Sequence, residues 1–278
     1  MQRQFMQTLV EIIDQIKKEQ TIHREQLQAL LETTDEQAVS YLRDTARKVA
    51  DDIYGKQVFI RGLIEFTNYC KNDCIYCGIR RSNPNAQRYR LTEEEILSCC
   101  ANGYELGFRT FVLQGGEDPY FTDERICNIV AKIKQDYPDC AVTLSIGEKD
   151  KASYQAFYDA GADRYLLRHE TADEAHYQSL HPAEMSFRHR IQCLYDLKEI
   201  GYQVGCGFMV GSPGQTVGTL YEDLMFIKKL QPHMVGIGPF IPQKDTPFGQ
   251  EPAGTMEQTL RLLSIIRLIH PHVLLPST

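Results

Sequence analysis

The spacing of apolar residues changes near residue 55 of this 278-residue chain. Before that point they recur at helical intervals: Phe5, Leu9, Ile12, Ile13 and Ile16. We predict three helices in residues 1–54, with Thr21 capping the second and a Thr34–Gln37 capping box opening the third, which runs to about Ile53. This segment is expected to be a helical cap at one end of the following domain.

From residue 58 onwards, short apolar stretches alternate with amphipathic ones. The stretches predict strands at 58–66, 109–114, 141–146, 163–168, 202–209 and 234–240, and the start of a seventh at 272–275. The intervals predict helices at 93–106, 122–136, 150–160, 187–200, 216–230 and 256–269. Alternation of this kind indicates parallel strands joined by right-handed crossovers.

The loops after the predicted strands favour one parallel architecture. Polar, glycine-bearing segments such as QGGEDPY and GSPGQT follow strands, as in a (β/α) barrel whose active site lies at the C-terminal ends of its strands. A doubly wound open sheet is the alternative, but no G-x-G-x-x-G follows the first strand. We predict an α/β fold, a TIM-type (β/α) barrel over 55–278 with about six complete β/α units. Because the seventh strand has barely begun at Thr278, we expect a C-terminally truncated version of a longer protein.

Charge and composition narrow the functional classes. The formal net charge is −7 and no basic stripe is visible, which argues against a nucleic-acid partner. No apolar run approaches the length of a membrane span, so no membrane partner is expected. Nine cysteines, an odd number, argue against a secreted disulfide framework and for a reducing cytoplasm.

Three of these cysteines follow the first predicted strand directly. Cys70, Cys74 and Cys77 are spaced Cys-x3-Cys-x2-Cys. A structural zinc site usually takes four protein ligands, and no second Cys-x-x-Cys pair is present. An iron–sulfur cubane normally takes four thiolates, so three would leave one iron open to a small molecule. The spacing favours such a cluster over three incidental core thiols. The other cysteines lack ligand spacing and are predicted to be buried thiols: Cys99, Cys100, Cys127, Cys140, Cys193 and Cys206.

Polar residues near three other strand ends are candidates for ligand binding. Gln114 to Glu117, including two glycines, follow the second strand. On the third strand Thr143 and Ser145 share one face, which in a barrel points inward. Arg168 and Glu170 are expected to share a face at the end of the fourth strand. Solvent-facing hydroxyls and a surface ion pair are the alternatives.

The cysteine motif, with aromatic Tyr76 before its last thiol, resembles the signature of the radical S-adenosylmethionine (SAM) enzymes. Further segments resemble the HydE family, maturases of the iron-only hydrogenase: RYRLTEEEI, VLQGGEDPY, ADRYLLRHETA, MVGSPGQT and MVGIGPFIPQKDTP. The resemblance covers nearly the whole chain. It implies one [4Fe–4S] cluster on Cys70, Cys74 and Cys77, with SAM chelating the fourth iron. It also implies reductive cleavage of SAM to a 5′-deoxyadenosyl radical, with no acid–base catalytic residue.

The resemblance further implies roles for individual residues. It assigns SAM binding to Tyr76, Gly115, Gly116, Glu117, Ser145, Glu170, Arg190 and Ile241. Within this set Gly115 to Glu117 would bind the amino group, Arg190 the carboxylate, and Ile241 the adenine. It assigns substrate binding to Gln114, Thr143, Arg168 and Met234.

The partners that the resemblance implies are a small organometallic iron–cysteine substrate, an electron donor such as flavodoxin or ferredoxin, and other hydrogenase maturases. Two alternatives stay open within the superfamily, a biotin-synthase-like and a methylornithine-synthase-like enzyme. A third alternative, from another functional class, is an inactive scaffold that binds a cluster without cleaving SAM.

Overall fold

A computed structural model describes residues 8–276 of the protein. Phe5 of the first predicted helix and the terminal Thr278 lie outside the described residues. Eight strands are assigned within them: β1 Gly62–Thr67, β2 Thr110–Gly115, β3 Ala141–Ser145, β4 Arg164–Leu166, β5 Gln203–Cys206, β6 Met209–Val210, β7 Met234–Val235 and β8 Gly238–Pro239. The first β-strand begins later than predicted, and Val58, Phe59 and Ile60 precede it as exposed residues.

Ten helices are assigned in the same part of the chain: α1 Leu9–Glu19, α2 Arg24–Glu32, α3 Glu36–Tyr54, α4 Glu93–Glu105, α5 Asp123–Asp136, α6 Lys151–Asp159, α7 Glu174–Leu180, α8 Phe187–Ile200, α9 Val217–Leu230 and α10 Met256–Ile269. The six helices predicted between strands are confirmed. The sequence analysis missed α7, a short helix that Asp173 caps between β4 and α8. None of the helices within residues 8–276 has both the length and the apolar composition that a membrane span requires.

Six of the strands form one parallel sheet in the order β1-β2-β3-β4-β5-β7. The first five strands therefore follow one another in chain order, and β7 lies beside β5 because β6 pairs elsewhere; this is the strand order of a (β/α) barrel and confirms the predicted fold class. Within the described residues the sheet is not closed, because the strand pairs join neighbours from β1 through β7 and none joins β1 to β7. Beyond β7, a single parallel bridge joins Met234 to Leu274, where the seventh predicted strand begins.

The two faces of the sheet differ in chemistry because side chains alternate along a strand. Phe111 and Leu113 of β2, with Val142 and Leu144 of β3, are buried in the core that also contains Ile129 of α5. The residues between them on β2 and β3 lie in register across the two strands, Val112 with Thr143 and Gln114 with Ser145. The predicted polar residues of both strands therefore share the face opposite the helices.

The fifth and sixth predicted strands are each interrupted before their ends. The stretch 202–209 divides into β5 and β6 at Gly207, and 234–240 divides into β7 and β8. A Cβ on Gly207 would lie 1.8 Å from the carbonyl oxygen of Gly236, so only glycine permits this close approach of the two chains. Beyond the interruption β6 and β8 pair as a separate two-stranded parallel sheet.

Helices α1 to α3 join the same apolar core as the sheet, through residues such as Ile13, Ile16 and Leu27. Their predicted caps were wrong. Helix α2 follows His23 and not Thr21, and Asp35 caps α3 by accepting hydrogen bonds from the amides of Gln37 and Ala38. An Asp carboxylate accepts both hydrogen bonds at once, so the helix starts one residue later than a Thr34 capping box requires. The boundary after residue 54 stays a prediction.

Two of the cysteines predicted to be buried are not. Cys99 is exposed and Cys127 is half-buried, whereas Cys100, Cys140, Cys193 and Cys206 are buried. Cys99 lies on α4 between the buried Ile96 and Cys100, at a position that turns toward solvent. The sequence prediction considered only that these cysteines lack ligand spacing. The side of the helix on which a residue lies decides whether its thiol is buried.

Candidate functional site

The three cysteines lie on a loop after β1, residues 68–83, that we call the cysteine loop. Cys70, Cys74 and Cys77 are half-buried free thiols. Burial raises the pKa of each thiol, and the proximity of Cys77 and Cys70 raises that of Cys74 further. Three thiolates held this closely repel one another unless a metal centre supplies positive charge, and metal coordination deprotonates thiols outright.

No set of three or more His, Cys, Asp or Glu side chains within residues 8–276 is gathered around one point as ligands of a single metal ion. A cubane does not require such a point, because each thiolate binds a different iron at a different corner.

The glycines after β2 lie against the cysteine loop. A Cβ on Gly116 would lie 2.2 Å from the carbonyl oxygen of Tyr69 and 2.8 Å from Cβ of Cys70, so a side chain here would displace the first cysteine. The amide of Lys71 donates a hydrogen bond to the carbonyl of Glu117 at 2.9 Å. The predicted glycine segment and the first cysteine thus occupy one site.

Glu117 is held between the cysteine loop and the end of β3. Its Oε2 lies 3.1 Å from Nζ of Lys71, and its Oε1 accepts a hydrogen bond from the amide of Glu148 at 2.9 Å. The carboxylate is buried. Burial is the main cause of the raised pKa of Cys70; a hydrogen bond with the Glu117 backbone lowers that pKa, and the negative charge of Glu117 raises it by less.

Arg190 enters the site from α8 and is buried. Its Nε pairs with the carboxylate of Glu148, and its Nη1 donates a hydrogen bond to the carbonyl of Arg168 at 2.9 Å. Its positive charge partly offsets the pKa increase that burial imposes on Cys74. The Glu148 partner was missed, because nothing in the segment SIGEKD separates a site carboxylate from a surface one.

Arg168 and Glu170 form an ion pair after β4, with Nε and Oε1 3.4 Å apart. Glu170 is buried and has a left-handed backbone (φ 64°), which is costly for a residue with a side chain and is often found at functional sites. Its negative charge adds to the increase in the pKa of Cys74 and Cys77 that burial causes. Glu170 therefore lies near the cysteine thiols.

Several buried polar atoms in this region have no hydrogen-bond partner within the described part of the chain. They are Oγ1 of Thr143, Nε and Nη2 of Arg168, and Oε2 of Glu170. Buried polar groups are normally paired. Because these atoms include both donors and acceptors, they fit a polar ligand such as SAM.

Tyr76 belongs to the cysteine loop, and its side chain packs against α7 and the chain near β6 and β8. Its hydroxyl lies 3.3 Å from Nε2 of His181, and its ring packs beside Leu180, Met209 and Phe240. Met185, two residues before α8, places its sulfur 3.7 Å from the sulfur of Cys74. Both contacts involve the segment around α7 that the sequence analysis did not predict.

A cavity of about 580 Å³ opens beside the cysteine loop. This volume falls within the range of about 300–1,000 Å³ that is usual for small-ligand sites. Its lining carries both signs of charge and includes Lys71, Glu117, Glu148, Lys149, Met185 and His189. Such a lining suits a ligand that itself carries positive and negative groups.

The remaining predicted residues lie on β2, β3 and β7 and after β8. Gln114 donates a hydrogen bond to Glu65 of β1 at 3.3 Å, and Ser145 is half-buried beside it in the register. Met234 pairs with Gly205 of β5. The side chain of Ile241 is 62% exposed after β8. Their substrate and adenine contacts stay predictions.

The family model for the radical SAM superfamily matches residues 64–227. The chain is 43% identical over 268 residues to the [FeFe] hydrogenase maturase subunit HydE of Thermotoga maritima, which covers 96% of this chain and 76% of that protein.

Two further relatives carry a different name. The 3-methylornithine synthase of Methanosarcina acetivorans is 32% identical over 254 residues, covering 91% of this chain and 71% of that protein. The crystal structure of methylornithine synthase (PylB) superposes with a TM-score of 0.88 at 30% identity, covering 95% of this chain and 78% of that one.

Proposed function

The chain belongs to the radical SAM superfamily, and from this premise we propose that it is a HydE-like maturase acting in assembly of the di-iron site of [FeFe] hydrogenase. Enzymes of this superfamily use a [4Fe–4S] cluster and SAM. The observation that carries the narrower proposal is the 43% identity to HydE over 96% of the chain. No catalytic acid or base is assigned.

The cysteine loop provides the cluster ligands in this proposal. Cys70, Cys74 and Cys77 would each bind one iron, leaving the fourth for SAM. The bound cofactors supply the reductive cleavage that yields methionine and a 5′-deoxyadenosyl radical. The chain's own task is to hold the thiols, orient SAM and exclude water. The half-buried thiols and the close contact between Gly116 and Cys70 support this assignment.

SAM contacts are proposed for residues on the loops after β1 to β4, on α8 and after β8. Arg190 would bind the SAM carboxylate, because a guanidinium fork matches a carboxylate. Glu148 and the carbonyl of Arg168 fix the orientation of that fork. Gly115 to Glu117, with Tyr76, Ser145, Glu170 and Ile241, would complete the SAM site.

The substrate proposal is a small organometallic iron–cysteine species, bound by Gln114, Thr143, Arg168 and Met234. Nη2 of Arg168 has no hydrogen-bond partner within the described residues, whereas Nε lies 3.4 Å from Glu170; the free Nη2 supports an anionic group on this ligand. We also propose an electron donor such as flavodoxin or ferredoxin, contact with other hydrogenase maturases, and a cytoplasmic location.

Cluster binding and SAM cleavage are tested by anaerobic reconstitution with iron and sulfide, followed by measurement of bound iron and of 5′-deoxyadenosine after reduction with SAM. Cys74→Ser is expected to lose the four-iron spectrum and the nucleoside product, whereas Cys99→Ser, an exposed thiol on α4, keeps both. A full cluster in Cys74→Ser would contradict the ligand assignment. A wild-type protein that binds iron and releases no nucleoside would instead be a scaffold.

A 3-methylornithine-synthase-like activity is the second candidate, supported by the TM-score of 0.88 to PylB. Both candidates cleave SAM, so the nucleoside assay does not separate them. A maturation assay does, in which the chain replaces HydE in a mixture of hydrogenase and its other maturases. Restored hydrogenase activity supports the maturase, whereas 3-methylornithine formation without such restoration supports the synthase.

A further inference from the structure

The segment 87–90, which we call the clasp, runs back alongside the exit of β1. Thr67 and Arg90 form an antiparallel bridge, and Asn68 binds the clasp through both ends of its amide. Oδ1 of Asn68 accepts from the amide of Tyr89 at 2.8 Å, and Nδ2 donates to the carbonyl of Gln87 at 2.6 Å. The clasp therefore brings the chain that follows the cysteine loop back to the beginning of that loop, at Asn68.

Arg88 of the clasp binds main-chain carbonyls on both sides of the three cysteines. Its Nη1 donates to the carbonyls of Asn68 at 2.5 Å and Ile79 at 2.8 Å. Its Nη2 donates to the carbonyls of Arg80 at 2.6 Å and Asn83 at 3.5 Å. Asn68 precedes Cys70, and the other three residues follow Cys77. One side chain thus joins the two ends of the cysteine loop.

The chemistry of arginine suits this task. A guanidinium carries five N–H donors in a fixed plane, whereas the ammonium of lysine has three donors around one atom. Each of these hydrogen bonds has a charged donor, and the three shorter ones, to Asn68, Ile79 and Arg80, are correspondingly strong. A lysine at position 88 would keep the charge but could not reach four carbonyls arranged around a plane.

Arg90 anchors the clasp to the segment after β2. Its Nε and Nη2 donate to the carboxylate of Asp118 at 2.6 and 2.9 Å, and its guanidinium lies 3.8 Å from the ring centre of Tyr69. Asp118 also accepts a hydrogen bond from Thr67 at 2.7 Å. The clasp is thereby fixed against the segment that contacts Cys70.

A second tie exists inside the cysteine loop, but it does not duplicate the role of Arg88. Asp73 accepts hydrogen bonds from Nε of Arg80 at 2.7 Å and from the amide of Ser82 at 3.1 Å. These hydrogen bonds join Asp73 to residues 80–82. They do not reach the part of the cysteine loop that precedes Cys70. Within residues 8–276, Arg88 is the side chain whose hydrogen bonds join Asn68 to the segment after Cys77.

We propose that Arg88 is a positioning residue that keeps the cysteine loop closed before the cluster is present, so that the three thiols are already arranged when iron and sulfide arrive. Joining the ends of a loop in advance removes the entropy cost of closing it during assembly. This inference rests on the proposed cluster role of the cysteines. The clasp also gives a structural reason for the Arg-Tyr-Arg sequence at 88–90.

The test compares Arg88→Lys and Arg88→Gln with wild type in two states. In the full chain without iron, hydrogen exchange measured by mass spectrometry is expected to accelerate in residues 68–83 and to stay unchanged in α5 and α8. After reconstitution, a chelator is expected to remove iron about tenfold faster from both variants. The reduced cluster should also show an altered electron paramagnetic resonance signal when SAM is added.

Arg109→Gln is the matched control, because Arg109 also donates to main-chain carbonyls, those of Tyr104 and Phe108, and lies before β2 at the other end of that strand. It should leave loop exchange and iron release unchanged. Unaltered loop exchange in Arg88→Lys without iron would overturn the proposal, as would chelator rates equal to wild type. If wild type binds no cluster, the proposed function fails, while the exchange experiment still decides the role of Arg88.

Discussion

The cysteine loop and the helices α1 to α3 are held in opposite ways. The helices contribute a series of buried aliphatic side chains to the core, including Ile13, Ile16, Leu27 and Leu42. Among the described residues, no buried apolar side chain lies between Phe66 and Ile96, a stretch that contains the whole cysteine loop. Apart from the ring of Tyr76, which packs beside Leu180, Met209 and Phe240, the loop is held by hydrogen bonds and ion pairs. Apolar packing is non-directional, whereas hydrogen bonds fix positions and angles.

This contrast separates stability from site geometry. Loss of packing in α1 to α3 should weaken the whole fold and leave the thiols correctly placed in the molecules that remain folded. Loss of hydrogen bonds and ion pairs around the cysteine loop should lower the free energy of unfolding by less, but it should displace the three thiols. Four changes to the chain or to the pH test this separation, and their expected effects on stability decrease from the first to the last.

Leu27→Ala removes a fully buried side chain of α2 and should lower the free energy of unfolding by about 2–5 kcal/mol, because the cavity adds to the lost transfer energy. Urea unfolding measures this change. Iron bound per folded chain should not change. Val10→Ala, on the exposed face of α1, is the control and should cost less than about 0.5 kcal/mol. A large loss of iron in folded Leu27→Ala would contradict the separation.

His181 lies beneath the loop and should make the stability of the iron-free protein depend on pH. It stacks on Tyr177 at 3.9 Å, and burial lowers its pKa to about 4. Between about pH 6.5 and 4 the unfolded chain therefore binds more protons than the folded chain, so stability falls with acidification by up to about 3 kcal/mol.

Urea unfolding of His181→Gln between pH 4 and 7 should show a shallower pH dependence than wild type. His23→Gln, at an exposed residue before α2, should retain the wild-type slope. An identical slope in His181→Gln would mean that another group carries the effect.

The ion pair of Arg90 and Asp118 should contribute a smaller amount to the free energy of unfolding, and this contribution should be lost in acid. Burial alone would raise the pKa of Asp118, but hydrogen bonds from Arg90 and Thr67 outweigh it and hold the pKa below its usual value. The contribution is therefore present above the unfolded pKa of about 3.9 and is lost as pH falls through the lower folded value.

Asp118→Asn should cost about 1–3 kcal/mol at pH 7, and its difference from wild type should shrink in acid. The half-exposed pair of Arg109 and Asp139 supplies the control, because Asp139→Asn should cost at most about 1 kcal/mol. A difference that stays constant below pH 4 would show that the carboxylate charge is not responsible.

Asp35→Ala should give the smallest change, about 1 kcal/mol, by removing the cap of α3. Thermal unfolding followed by circular dichroism measures it, and iron binding should be unchanged. Thr34→Ala is the control that separates the observed cap from the predicted one. If Thr34→Ala were the more destabilising change, Thr34 would be the cap in solution.

Much of the fold and part of the site could be predicted from local sequence signals. Helix α8 was predicted with its observed bounds, because its apolar spacing lies within one element. The three cysteines lie within eight residues, so their proximity needed no tertiary information. The glycines at 115–116 and the loop that carries Cys70 follow adjacent strands of a parallel sheet, which made their encounter predictable.

Only the tertiary structure decided which side chains form hydrogen bonds and ion pairs around the candidate site. Arg88 reaches back 20 residues to Asn68, and Glu148 meets Arg190 across 42 residues. No local pattern distinguishes these charges from solvated ones, because a charged side chain follows no hydrophobic period. The sequence by itself determined the spacing of the three cysteines and the order of the strands. Packing determined which charges hold the cysteine loop in place, because a directional contact forms only where the folded chain brings donor and acceptor together.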